Sequence, residues 1–273
     1  MIVFLHVPKT AGTSFRFILE NSFGYRHCHA GHNRKSVFLN ADLQFAQRFF
    51  PGMKSIAGHN LVNPLRIDFP EPHFITFLRE PISRVISHYQ DSVVRGNNRK
   101  SFEACLQENA GLENLHVKLI AGERNLDKAK RFLEGCHGVG LTEKFDLSLH
   151  LLQRLVPQRL NLQYRRRLVA RDNAIRKTIE QDSRLLELAR EYNQLDLDLY
   201  QFAVNELFPA LCDKAGLRAD QQVESLGVKS RVASLKFTLG RLYNKFYRQA
   251  CKSVGQTGVP ETSPGYCDVP ARS

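Results

Sequence analysis

Apolar residues fall along this chain in short unbroken runs separated by stretches of helical spacing. Ile2–Leu5 is continuously apolar and β-branched at its start, the pattern of a buried strand. Ser55–His59, His73–Leu78 and the Val139–Glu143 strand and turn read the same way. Between them apolar positions recur every three or four residues. Phe15, Ile18 and Leu19 mark a helix after the first strand, capped by Thr13 or Ser14. Leu43, Ala46 and Phe50 mark one over Asp42–Phe50, and Ile82, Val85, Ile86 and Tyr89 one over Ile82–Asp91. Ser101–Asn109, Leu112–Ala121 and Phe145–Leu155 follow. Ala174–Phe208 reads as a long helix, breakable at Asn193-Gln194 and ended by Pro209. Strands alternating with helices over 273 residues suit one α/β domain with an appendage, or two small domains.

The first turn carries candidate chemistry. Pro8 ends the strand, having no N–H for a ladder. Lys9-Thr10-Ala11-Gly12-Thr13-Ser14 then leads into a helix N-terminus. Backbone N–H groups and the helix dipole favour an anion there, Gly12 permits close approach, and Lys9 adds a full charge. The order of residues is not that of the ATP-type loop, in which the lysine follows the last glycine. The plain alternative is a solvated lysine on a strand–helix turn.

Charge narrows the partners. A net charge of +12 points to an anionic one: a nucleotide, a polyanionic sugar, nucleic acid or a membrane surface. No apolar run approaches the ~18 residues of a membrane span, and no charged region of a secretory signal precedes the first strand, which gives a cytoplasmic expectation. The six cysteines are scattered without a C-x-x-C pair, which argues against a disulfide framework and a cysteine zinc site. The cluster His27-Cys28-His29-Ala30-Gly31-His32 matches no common zinc spacing and reads as a polar loop near the cleft.

Two strand ends hold further candidates. Arg79 closes His73–Leu78, with Ser83 and Ser87 on the following helix. Gly58-His59 closes Ser55–His59, and strand ends are where open α/β sheets bind ligands.

Pro-Lys-Thr-x-Gly-Thr-Ser at 8–14 resembles the 5′-phosphosulfate loop of sulfotransferases, and Phe74–Tyr89 resembles the 3′-phosphate segment of enzymes that use 3′-phosphoadenosine 5′-phosphosulfate (PAPS). The resemblance covers about residues 1–210 and is to the carbohydrate type, sulfotransferase family 2, which includes the heparan sulfate 2-O and 6-O enzymes. Glu80 departs from the usual aspartate. Val139–Leu147 and Leu195–Ala203 are similar to later segments of the family.

The resemblance implies a P-loop-like three-layer α/β fold whose central parallel sheet is flanked by helices, and a sulfotransferase domain over 1–212. It implies that Lys9 contacts the phosphosulfate, and that Thr10, Ala11, Gly12, Thr13 and Ser14 cradle it through amides and hydroxyls. Arg79 and Ser87 would hold the 3′-phosphate, with Thr142 near the nucleotide. His59 would be the base, with His32, His6 and His88 behind it. The reaction is sulfuryl transfer from PAPS to a hydroxyl, by family expectation that of a saccharide, with no metal and no nucleic acid involved. The alternatives are a P-loop kinase, which would need the absent G-K-[ST] loop and a magnesium-binding aspartate, and an inactive polyanion-binding module using Arg165, Arg166, Arg167 and Arg171.

Residues 213–273 form a basic C-terminal extension outside the resemblance. Lys229–Arg248 reads as a basic amphipathic helix that caps the domain, lies on an anionic membrane or forms a dimer. Residues 253–273, rich in Gly, Pro, Ser and Thr, read as disordered.

Overall fold

A computed structural model describes residues 1–33, 37–96, 98–108, 112–164, 173–227 and 234–255, with His32, Asn33, Val254 and Gly255 described by backbone alone. The strands are β1 (Ile2–Leu5), β2 (His27–His29), β3 (Ser55–Gly58), β4 (His73–Leu78) and β5 (Gly138–Leu141). They form one sheet of five parallel strands in the order β2-β3-β1-β4-β5. β1 is central because every one of its residues is apolar, so it tolerates burial on both faces; each is at most 1% exposed.

The helices are α1 (Gly12–Phe23), α2 (Asn40–Phe49), α3 (Pro81–Val94), α4 (Phe102–Gln107), α5 (Leu115–Ala121) and α6 (Leu126–Glu134). After β5 come α7 (Phe145–Leu155), α8 (Ala174–Glu180), α9 (Ser183–Tyr192), α10 (Gln194–Phe202), α11 (Phe208–Lys214) and α12 (Leu235–Gly255). Alternate strand residues supply the two faces of the sheet. Ile2, Phe4, Ile75 and Phe77 pack with Phe15 and Ile18 of α1 and Leu149 and Leu152 of α7. Val3, Leu5, Phe74 and Leu78 pack with Val117 and Ile120 of α5 and Leu133 of α6. The result is the three-layer α/β architecture implied by the resemblance.

Four local expectations change. His27–His29 is an edge strand, and Ala30–Asn33 a 3₁₀ turn, in place of a polar loop. His27 is completely buried, and its Nδ1 lies 2.8 Å from Ser55 Oγ, so the polar atom it turns toward β3 is partnered inside the protein. The Ala174–Phe208 helix is divided already at Gln181-Asp182, where Asp182 accepts from Leu185 N and caps α9. Pro209 ends nothing: it lies in the first turn of α11, where a missing N–H is harmless. Helix α6 was not foreseen, although Asn125 caps it and Ala129, Phe132 and Leu133 carry its buried face. The cysteines among the described residues are all free and buried.

A buried carboxylate joins α10 to α5. Asp196 Oδ2 accepts from His116 N and Oδ1 from Val117 N, at 3.0 and 2.9 Å, capping α5 from outside its own segment. Its Oδ2 also lies 3.2 Å from His116 Nδ1. Burial alone would raise the pKa of Asp196, but His116, Arg84 and the Val117 amide hold it below the ordinary carboxylate value. The stabilisation is therefore complete above the unfolded value of about 3.9 and is lost as pH falls through the lower folded one. Asp196→Ala is expected to cost about 3–5 kcal/mol; urea unfolding at neutral pH measures it, and the difference from wild type should shrink in acid.

Helix α12 packs on the body. Gly240 lies against Gly24, and a Cβ there would come within 2.6 Å of the Gly24 backbone. Phe237 meets Phe17, and Tyr247 meets Phe45, Phe49 and Phe50. Asn244 donates to His27 O and accepts from His29 N, both at 2.8 Å. Its amide thus pairs with the free edge of β2 as a neighbouring strand would.

Candidate active site at the strand ends

β1 and β4 are neighbours whose exits run in opposite directions, β1 toward β2 and β4 toward β5. This is a topological switch point, which leaves a crevice above the carboxyl ends of the strands. Lys9 follows β1 on one side and Arg79 follows β4 on the other.

The turn after β1 is held in an unusual conformation. Lys9 and Ala11 both have positive φ, 69° and 60°, in the left-handed region that costs non-glycine residues energy. Three contacts fix it. Thr10 Oγ1 donates to Val7 O at 2.8 Å, Ser14 N to Ala11 O at 2.9 Å, and Arg79 Nη1 to Lys9 O at 3.1 Å. Left-handed residues alternating with others turn successive N–H groups to one side, the geometry that receives anions. Ala11 is the residue before α1, and no side chain caps the helix among the described residues. Thr13 and Ser14 therefore lie inside its first turn and do not cap it. Its leading N–H groups remain for a ligand. Thr10 is fully buried with its hydroxyl engaged, so its backbone is what it offers. Gly12 is required by packing: a Cβ would lie 1.9 Å from His6 Cδ2.

Lys9 Nζ stands 3.5 Å from Asp91 Oδ2, and Asp91 also accepts from Arg95 Nε at 3.0 Å. Burial presses the Lys9 pKa down, with Asp91 opposing. Ser83, Ser87 and Asp91 are spaced four apart on α3 and so share a face. The Ser83 carbonyl accepts from Arg176 Nη2 at 3.2 Å and Asp91 holds Lys9, which sets half-buried Ser87 between two cations.

Arg79 is fixed from several directions. Glu80 caps α3, accepting from Ile82 N and Ser83 N at 3.0 and 2.6 Å. Glu143 accepts from Glu80 N and from Tyr200 OH, and Thr142 donates to Leu78 O. Burial first, and then the Arg176 guanidinium, depress the Arg79 pKa. Arg176 Nη1 is bridged to Glu180 Oε1 at 2.7 Å, and Glu143 and Glu80 oppose the shift of Arg79; two guanidiniums this close can still hold an anion between them. Arg176 was missed in the sequence: it lies nearly 100 residues from Arg79 on a charged helix, and only folding joins them.

His59 follows β3 beside the same turn. Its Nδ1 lies 2.6 Å from His6 O. A carbonyl only accepts, so Nδ1 carries the proton and Nε2 presents a lone pair. Its pKa is lowered to about 4, first by the protein packed around it and then by Arg16, with the His6 carbonyl opposing. His59 is nevertheless exposed at the surface, which weakens the effect of burial and leaves its direction, toward a neutral imidazole at neutral pH. His6 is enclosed between Phe4, His59 and Gly12, and burial holds it neutral. His88 is lowered to about 4, by burial first, then by Arg84 and Lys9, with His59 also contributing. It follows Ser87 on α3. The His32 side chain and Arg165, Arg166, Arg167 and Arg171 lie outside the described residues.

Lys9, Arg79, Ser87, Arg176 and an unprotonated His59 thus surround one crevice. It can bind a multiply charged anion and take up a proton. A family model described as the sulfotransferase family matches residues 1–132. No curated protein matches the chain.

Proposed function

Residues 1–132 of this chain belong to the sulfotransferase family, and from that premise we propose that the crevice binds PAPS and transfers its sulfuryl group to a hydroxyl, most simply that of a saccharide. The observation that carries the reading is the contact of Arg79 with the Lys9 carbonyl, which ties the candidate 3′-phosphate residue to the candidate phosphosulfate loop. The Ala11, Gly12 and Thr13 amides, with the Ser14 hydroxyl, receive the phosphosulfate, and Arg79, Ser87 and Arg176 hold the 3′-phosphate.

In the transfer, the acceptor oxygen forms a bond to sulfur as the bond from sulfur to the bridging oxygen breaks. His59 Nε2 takes the acceptor proton. Lys9 leaves Asp91 for the bridging oxygen and stabilises the charge that grows there. 3′,5′-Adenosine bisphosphate departs. Positioning and electrostatics supply the acceleration, as in phosphoryl transfer.

The test is thermal. At a hundred times its Kd, 3′,5′-adenosine bisphosphate should stabilise the folded chain by about 2.7 kcal/mol, a shift of roughly 5–10 °C. ADP and ATP should give much less, with or without magnesium. Arg79→Ala and Ser87→Ala should each remove most of the shift. A magnesium-dependent shift with ATP instead would overturn the reading.

A further inference from the structure

Helix α12 is apolar on two sides. Phe237, Gly240, Asn244, Tyr247 and Cys251 face the body and are buried. Turned well away from them, Leu235, Leu239, Leu242 and Phe246 form a second stripe at the same helical period. This stripe is exposed, Leu235 by 78% and Phe246 by 58%. Leu239, Leu242 and neighbouring Tyr243 are also exposed, by 41%, 47% and 42%. Packing on the body does not explain it.

Its flank is as regular. Arg241, Lys245, Arg248 and Lys252 follow one another at intervals of three or four along one side of the helix, between the stripe and the body, and the Arg241 guanidinium rests over the Phe237 ring, 5.8 Å from its centroid. The helix contains no Asp or Glu, and none of these cations forms a salt bridge with a carboxylate among the described residues. An exposed apolar stripe edged by cations is the pattern of a helix lying in the plane of a membrane interface. A symmetric contact of α12 with α12 of a second copy fits poorly, because that helix would bring the same cations and no carboxylate to meet them.

We propose that the outer face of α12 docks the protein on an anionic phospholipid surface, with Leu239, Leu242 and Phe246 entering the headgroup boundary and Arg241, Lys245, Arg248 and Lys252 facing lipid phosphates. The proposal does not depend on the sulfuryl-transfer reading. No helix among the described residues is long and apolar enough to cross a membrane, so the contact is peripheral.

Co-sedimentation with phosphatidylcholine vesicles, with and without about one-third phosphatidylserine, tests it. The full chain should bind the anionic vesicles at least tenfold more tightly than the neutral ones and leave them as salt rises. Leu242→Asp with Phe246→Asp should abolish binding. Both side chains are exposed, so the melting temperature should stay near that of wild type. Lys245→Glu with Lys252→Glu should weaken binding to anionic vesicles more than tenfold and leave neutral vesicles unaffected. Equal binding to both vesicle types, or anionic binding insensitive to either pair, overturns the proposal. So does a failure to bind together with a dimer that Leu242→Asp and Phe246→Asp dissociate, which would make the face a contact between copies.

Discussion

His59→Ala is expected to lower turnover by about 10²- to 10⁴-fold and leave the thermal shift with 3′,5′-adenosine bisphosphate intact. The separation follows from placement. His59 comes from the end of β3, whereas the nucleotide-binding candidates come from the ends of β1 and β4 and from α3 and α8. It follows also from the hydrogen bond to His6 O, which commits Nδ1 and leaves Nε2 as the base. The pH profile gives an independent reading. With the His59 pKa lowered, the acid limb of kcat/KM for the nucleotide should lie below the ordinary histidine value of about 6.5. In kcat/KM for the acceptor, measured with nucleotide already bound, the added negative charge should move that limb upward. An acid limb unchanged in His59→Ala would assign the base elsewhere, and His88, beside Ser87 on α3, would be examined next.

Gly12→Ala is expected to damage stability and activity together. The added methyl would stand 1.9 Å from the His6 ring, which is itself packed between Phe4 and His59. Something must move, at about 1–3 kcal/mol for an overpacked core and more if the turn shifts. Any shift displaces the Lys9–Ser14 amides or the carbonyl that orients His59, and a displacement of about 1 Å from a productive geometry is worth roughly 100-fold in rate. The double variant Gly12→Ala, His6→Ala makes the room and keeps the His6 carbonyl, which belongs to the backbone. Its stability loss should be smaller than the sum of the two single losses, the mark of residues in direct contact. Full additivity in urea unfolding would show that the ring is not what Gly12 makes room for.

The central strands were legible because Ile2–Leu5 is an unbroken apolar run and His73–Leu78 is interrupted after its first residue only by Thr76, and short runs of this kind bounded by Pro8 and by Arg79-Glu80-Pro81 fit a doubly covered sheet. Edge strand β2 was not, since His27, Cys28 and His29 show no alternation and the polarity of His27 is answered by Ser55 from another strand. The breaks at Gln181-Asp182 and around Pro209 depend on tertiary packing and a π-type turn, which helical spacing alone does not reveal. Among site candidates, Lys9 and Arg79 stood out because glycine, proline and strand-end signals surround them. What the sequence could not convey was how atoms are shared. Thr10 gives its hydroxyl to Val7, Asp91 holds Lys9, and Arg176 reaches the Arg79 side of the crevice from a distant helix.

The pairing of Asn244 with the edge of β2 has a consequence for biosynthesis. The edge strand leaves the ribosome more than 200 residues before the amide that covers it. Through that interval its outer N–H and carbonyl groups are open to any other extended chain, and pairing between so distant segments is slow to form. A chain halted before α12 can complete its sheet but not close it. Such truncated products should be prone to add strands to one another through β2, and α12, the last of the described helices, would then act as an intramolecular chaperone for one of the first strands.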